Sequence, residues 1–396
     1  MSAGLCLLLA GGLVAEPVFF RPDPPGLPAY ALPDALKLAD GTPVTTADQW
    51  RARRRREVLE LFRQHVYGRV PATPCTTNWR ETHRDERAMG GAATLKQVDV
   101  TVTAEGRALT IRLALFLPNA AKAPVPTFLL ICNRGVENID PTRVQRSEFW
   151  PAEEVVARGY GIAAFFNGEV DPDKHDGFRD GAHALLDRDP RGPDAWGTLA
   201  AWAWGASRCL DYLVSDPGVD ARRVAVVGHS RGGKTALWAG AEDERFALVI
   251  SNDSGCGGAA LNRRQPPGRE SVTRINASFP HWFCERFKTY GGHEDQLPVD
   301  QHELVALVAP RLVYVASASE DLWADPRGEF LSLVHAQPVY RLLGRQGLPR
   351  DEMPAIGAQL AGDGMGYHLR AGKHNLTLFD WQRYLDFADR EWRRGP

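Results

Sequence analysis

Val224-Ala225-Val226-Val227 runs straight into Gly228-His229-Ser230-Arg231-Gly232, and that turn into Gly233-Lys234-Thr235-Ala236-Leu237-Trp238-Ala239-Gly240-Ala241. Four β-forming apolar residues predict a buried strand, and the Ala-rich segment predicts a helix. Between them lies G-x-S-x-G in the strand–turn–helix setting that gives this motif its meaning. A chain reversing from strand to helix within so few residues leaves Ser230 in a strained backbone conformation. Glycine is needed at 228 and 232, where neighbouring backbone passes close. The turn lifts the Ser230 hydroxyl to the helix N-terminus, where free N–H groups and the helix dipole favour a developing oxyanion. Ser230 is therefore the candidate nucleophile; the competing interpretation is a structural serine in a tight turn.

Working outward, further continuous apolar runs occupy 127–132, 161–166, 247–250 and 312–316. Such runs imply burial on both faces, as in a parallel sheet covered by helices. Helical stretches lie between them at 153–157, 199–214, 233–241 and 330–343. Upstream, 97–102 and 109–116 alternate, the pattern of antiparallel strands with one wet face. Together these predict an α/β-hydrolase fold: a three-layer α/β/α sandwich with a mostly parallel central sheet and an antiparallel N-terminal edge. Residues 47–396 are expected to form a single catalytic domain, with an insertion around 257–310 where no strand is legible. Residues 16–46, with seven prolines and no periodicity, are expected to wrap the body as an extended arm. Thr46 or Asp48 is expected to cap a helix running to Val66. That helix carries Arg51 and the run Arg53-Arg54-Arg55-Arg56, which is expected to form a solvated helix face rather than a nucleic-acid site.

Composition narrows the function. The chain has 396 residues, 47 Lys+Arg against 49 Asp+Glu, and a net charge of −2. That balance gives no electrostatic reason to expect nucleic acid or an anionic membrane as partner. Six scattered cysteines, Cys6, Cys75, Cys132, Cys209, Cys256 and Cys284, form no metal-binding spacing and no dense disulfide framework. They are expected to be buried apolar thiols. The apolar run over residues 1–15 is too short to span a bilayer. It resembles the hydrophobic region of a secretory signal peptide cleaved near Ala15, which implies a secreted or periplasmic protein. No other stretch could be transmembrane.

A serine hydroxyl needs a base, and the base needs an orienting group. On this scaffold the acid and then the histidine follow the serine in the chain. His374, in the loop Ala371-Gly372-Lys373-His374-Asn375, is the expected base. His368 sits within a strand-like alternation, and His281 is a lesser rival in the insertion. Glu320, Asp321 and Asp325 all fall just past the strand at 312–316, and Asp253 just past the strand at 247–250. Asp321 is the favoured acid and Asp253 the second choice; the two could also share the role. Asn133-Arg134-Gly135 is where a further oxyanion N–H is expected. Arg231 could supply a fixed cation to the oxyanion, and Lys234, one turn beyond Ser230, could face the same pocket. The competing reading of both is an ordinary surface position.

These residues resemble a known family. Gly228-His229-Ser230-Arg231-Gly232-Gly233-Lys234, Asp253-Ser254-Gly255-Cys256-Gly257-Gly258, Glu320-Asp321-Leu322-Trp323-Ala324-Asp325-Pro326 and His374 are similar to the bacterial glucuronoyl esterases of carbohydrate esterase family 15. The resemblance extends from about Trp50 to the C-terminus. It implies hydrolysis of esters of glucuronic acid or its 4-O-methyl form, the bonds that join glucuronoxylan to lignin alcohols. It further implies Ser230 as nucleophile, His374 as base and Arg231 beside the oxyanion. Lys234, Glu270 and Trp323 are implied as sugar contacts. The family places its acid at the position of Asp253, of Asp321, or at both. Fungal members carry a disulfide-bonded cysteine before the serine, where this chain has His229. No metal or cofactor is called for, and a monomer is expected. The alternatives are an acetyl-xylan esterase, another serine hydrolase or peptidase of the same scaffold, or a non-catalytic carbohydrate-binding protein.

Overall fold

The computed structural model describes residues 23–188 and 190–392. The expected signal segment, 1–15, and the arm as far as residue 22 lie outside the described residues. Ten strands form one sheet: β1 (Thr76–Arg87), β2 (Ala93–Ala104), β3 (Arg107–Pro118), β4 (Val125–Cys132), β5 (Gly161–Phe166), β6 (Val219–His229), β7 (Phe246–Asn252), β8 (Leu312–Ala318), β9 (Gln359–Ala361) and β10 (Met365–Arg370). Their order is β1-β2-β3-β5-β4-β6-β7-β8-β10-β9. Neighbours from β5 through β10 pair in parallel, while β1, β2 and β3 form the antiparallel edge that joins β5. This is an α/β-hydrolase fold, as expected, with the mostly parallel sheet and antiparallel edge that the pattern of runs predicted.

The continuous runs are buried on both faces for a visible reason. Along β4, Leu129 and Ile131 join one core, while Phe128, Leu130 and Cys132 join the other. The first core is closed by α1 (Arg55–His65), α3 (Thr198–Leu213), α4 (Arg231–Glu242) and α6 (Pro326–Leu342). The second is closed by α2 (Ala152–Ala157) and α7 (Leu378–Trp392). The wet face expected of the antiparallel edge covers β2 and only the first half of β3; from Leu113 onward β3 is buried on both sides.

Three features depart from expectation. β1 has almost no apolar residues to alternate, and most of its positions are exposed. It is a strand because β2 templates it, and its charges at Arg80, Glu81, Arg84 and Asp85 discourage pairing with another chain at the open edge. β9 adds a short antiparallel strand on the opposite edge. The arginine run is not a uniformly solvated face: Arg54 and Arg55 are buried. Arg54 donates to Ala35 O at 3.1 Å and Glu303 Oε1 at 2.7 Å, and Arg55 to Ala241 O at 2.8 Å. A π-helical turn over Trp50–Arg54 precedes α1, and Thr46 is the residue that caps the helical stretch ahead of it, in a capping box with Gln49.

The arm residues Ala35, Leu38 and Val44 pack into the first core. Within 257–310 the described chain forms helices, including Val272–Ser278 and α5 (Gln301–Ala306), and no named strand. Cys132, Cys209, Cys256 and Cys284 are buried unpaired thiols, and Cys75 is half-buried.

Candidate active site

The site forms where the parallel strands end, the usual place for ligands in open α/β sheets. β6 turns into α4 at Ser230, which has φ 58° and ψ −125°. A side chain at Gly228 would put Cβ 1.9 Å from the carbonyl oxygen of Gly232, so glycine is obligatory there. Gly232 is less absolute, since its added Cβ would lie 3.1 Å from Asn133 Oδ1 and 3.2 Å from Ile131 O. Ser230 N donates to Asn252 O at 2.8 Å, which anchors the strained turn to β7.

The loops after β8 and β10 are laced together. Ser319 N donates to Arg370 O at 2.8 Å and Glu320 N to Gly372 O at 2.9 Å. This lacing brings Asp321 to His374, whose Nδ1 lies 2.5 Å from Asp321 Oδ2. The carboxylate is buried and the imidazole partly exposed. The rings of His374 and His229 are 4.4 Å apart, so the imidazole lies against the residue preceding Ser230. His229 donates from Nδ1 to Asn252 Oδ1 at 2.6 Å. Burial, and then the neighbouring His374, push its pKa well below the ordinary value, so it stays neutral beneath His374.

The other carboxylates separate by geometry. Glu320 is exposed. Asp325 caps α6 and pairs with Arg264 and Arg269. Asp253 is buried; its Oδ2 accepts from Asn375 N at 3.2 Å. Burial, with Glu329, Asp321 and Asp380 nearby, raises the Asp253 carboxyl well above its ordinary range, and Arg370 offsets this only in part. One ligand atom each from Asp253, Asp321 and His374 falls within 4.8 Å of the others. Donor atoms around a tetrahedral ion at ~2.1 Å stand about 3.4 Å apart. The 2.5 Å contact of His374 with Asp321 is instead that of a hydrogen-bonded pair. His368 is enclosed between Tyr314 and Asp380. His281 and Trp282 both bond Asp173, at 2.9 and 2.8 Å.

Arg231 turns toward the loop after β4. It donates to Asn133 O at 2.9 Å, and its Nε lies 2.7 Å from Asp173 Oδ2. Burial opposes the charge on Asp173, but hydrogen bonds from His281 and Trp282, and then the Arg231 cation, hold its carboxyl below the ordinary range. Lys234 is not a surface residue. Its three ammonium hydrogens have three acceptors: Ser254 O at 2.6 Å, Cys256 O at 2.7 Å and Glu270 Oε2 at 2.8 Å. Trp323 is 44% exposed, its carbonyl accepts from Glu270 N at 2.8 Å, and Arg274 stands over its ring at 5.5 Å. Lys234, Glu270 and Trp323 are thus linked, Arg231 is held by Asn133 and Asp173, and the two cations stand over one Trp282 ring, each at 6.0 Å.

Sequence reading missed Asp173, Arg370 and Glu329. Asp173 follows the strand at 161–166 in Asp171-Pro172-Asp173, the same acid-past-a-strand signal that flagged Asp321. Arg370 and Glu329 carry no such mark. Among the described residues no helix is long and apolar enough to cross a membrane.

Known proteins resemble this chain over most of its length. A family model described as "Glucuronyl esterase, fungi" matches residues 100–344. A carbohydrate esterase from an unknown prokaryotic organism is 43% identical over 96% of this chain and 94% of its own length. The structure of a glucuronoyl esterase from Solibacter usitatus superposes with a TM-score of 0.86 at 40% identity, covering 93% of this chain and 99% of that one. A structure described as a promiscuous CE15 esterase from a marine bacterial metagenome reaches a TM-score of 0.83 at 44% identity, with the same coverage. The chain belongs to the glucuronoyl esterases of carbohydrate esterase family 15, and is a carboxylic ester hydrolase.

Proposed function

We propose that this chain hydrolyses esters of glucuronic acid or 4-O-methyl-glucuronic acid, the lignin–carbohydrate bonds of glucuronoxylan, in a secreted or periplasmic setting. The reading is supported by the strained turn at Ser230, taken together with two devices that lie beside it in the chain or in space. One is the Asp321–His374 pair, whose imidazole lies against His229, and the other is Arg231, the residue after Ser230, held to Asn133 O in the loop after β4.

In this reading His374, oriented by Asp321, takes the Ser230 hydroxyl proton as Oγ attacks the ester carbonyl carbon. The negative charge passes to the former carbonyl oxygen, where Arg231 and the free N–H groups at the start of α4 stabilise it. Collapse breaks the bond to the alcohol, which leaves with the proton from His374. Water then attacks the acyl-enzyme by the same route, returning the serine and releasing the uronic acid. Glu270 keeps one carboxylate oxygen free of Lys234 and can accept from a sugar hydroxyl. The exposed Trp323 ring offers an apolar face to the pyranose. Lys234 acts here chiefly by holding Glu270 and the 254–256 loop.

The marine relative is described as promiscuous, and this favours one second reading: an esterase that also accepts simple acyl groups. A single assay separates them. Rates on methyl glucuronate, methyl galacturonate and 4-nitrophenyl acetate should fall in that order, with the first far ahead. Ser230→Ala should abolish all three while leaving thermal unfolding unchanged. Comparable rates on the acetyl ester would favour the second reading, and turnover by Ser230→Ala would place the nucleophile elsewhere.

A further inference from the structure

We infer that Arg370 is a positioning residue for the base, clamping the His374 loop from beneath through its backbone carbonyls. The inference rests on the reading of His374 as the base. The loop 371–375 leaves β10 with Gly372 at φ 102° and belongs to no helix or strand. Three of its carbonyls turn onto one guanidinium. Arg370 Nη1 donates to Ala371 O at 2.9 Å, and Nη2 donates to Lys373 O at 2.8 Å and Asn375 O at 3.0 Å. The residues on either side of His374 are therefore both tied to the same planar group.

The clamp is itself fixed. Arg370 Nε points at both oxygens of Asp380, at 3.2 and 3.1 Å. Asp380 is fully buried and also accepts from His368 Nε2, Thr377 N and Thr377 Oγ1, each at 2.8 Å. These partners hold it ionised against the cost of burial. Asn375 is gripped twice more, through its N–H by Asp253 and through Oδ1 by Arg134 Nη2 at 2.7 Å. Arg134 belongs to the loop after β4, so the base loop and the oxyanion side of the site share one tether.

The guanidinium is suited to this work where an ammonium is not. Its five N–H groups lie in a rigid plane, so they can meet three carbonyls and a carboxylate at once. A lysine is a flexible point charge and would leave inward-facing carbonyls unpaired. Rate depends steeply on where a base stands, and a displacement of about 1 Å can cost about a hundredfold.

The test uses the full chain with Arg370→Lys, Arg370→Met and Asp380→Asn. Active sites are counted by the end point of fluorophosphonate labelling, and kcat and KM on methyl glucuronate are taken per counted site. Arg370→Lys and Arg370→Met should lower kcat about a hundredfold, with KM held within about twofold, and should slow labelling in parallel. Asp380→Asn should lower the same quantity about tenfold, because one acceptor for Nε survives. A residue serving stability alone would lower the melting temperature and the number of active sites, and leave kcat per site within about threefold; that result overturns the inference. Should Arg370→Met fail to fold, the lysine and asparagine variants carry the test. His374→Ala separates the two readings. If it is inactive while the Arg370 variants are normal, the clamp alone is wrong; if it turns over, the base is wrongly assigned.

Discussion

Asp321 and Asp253 both lie near the proposed base His374, and they differ in reach and in charge. Asp321 touches Nδ1 directly, whereas Asp253 spends its Oδ2 on the Asn375 backbone. Ionisation of Asp253 is opposed, by burial first and by neighbouring acidic groups second. A carboxyl that keeps its proton cannot stabilise an imidazolium as a charge. We therefore expect Asp321→Asn to lower kcat about a thousandfold or more, by favouring the wrong tautomer. Asp253→Asn should cost less than about tenfold, since an amide oxygen can still accept from Asn375 N. Parallel kcat measurements on one glucuronate ester decide the matter; loss confined to Asp253→Asn would reverse the assignment.

Among the elements, the loop after β7 is the piece whose shape most needs explaining. It carries Asp253 at φ 45° and Gly255 at φ 59°, and its carbonyls hold Lys234. What fixes it is Glu329 on α6. Its Oε1 accepts from Ser254 N at 2.6 Å and Gly255 N at 2.9 Å, and its Oε2 from Ser317 Oγ at 2.6 Å. Burial outweighs these bonds and raises the carboxyl from 4.5 to about 8. A carboxyl raised on folding keeps its proton in the native state after the unfolded chain has lost it. Its contribution to stability is therefore full below about pH 4.5 and falls as pH rises through about 8. Glu329→Gln removes the titration and keeps the shape. Melting temperatures taken at about pH 5 and about pH 8 should show a smaller loss on going alkaline than the wild type shows. An unchanged difference would mean that Glu329 is ionised in the native state at both pH values.

On the scale of the whole molecule, charge is nearly balanced, and the basic residues of the long arginine run are partly consumed by buried contacts. The proposed ester substrate is neutral at the bond that breaks. Raising salt from about 50 to about 500 mM should thus change KM for methyl glucuronate by less than about twofold, because there is little long-range field to screen. A strong salt dependence would reveal charge recognition that the present site does not include. The fold was legible because its signals are local. A parallel strand buried on both faces must be an unbroken apolar run, and a reversal at Gly228-His229-Ser230 must look as it does whatever surrounds it. Ser230, Asp321 and His374 were legible as candidates for a related reason: each lies just past a run that reads as a strand, where topology collects functional side chains. β1 was illegible because its partner, not its own composition, makes it a strand. Arg54, Arg55, Glu329 and Arg370 were illegible because their meaning lies in partners distant along the chain or hidden in loop conformation; Asp173 carried a strand-end signal, but its partners Arg231, His281 and Trp282 are distant along the chain. The amino-acid order alone determined the central parallel strands, the helices between them and the serine turn, through periodicity and steric necessity. Only tertiary packing decided which acid meets His374 and which cations are spent inside, because hydrogen-bond partners and burial exist only once the chain has closed on itself.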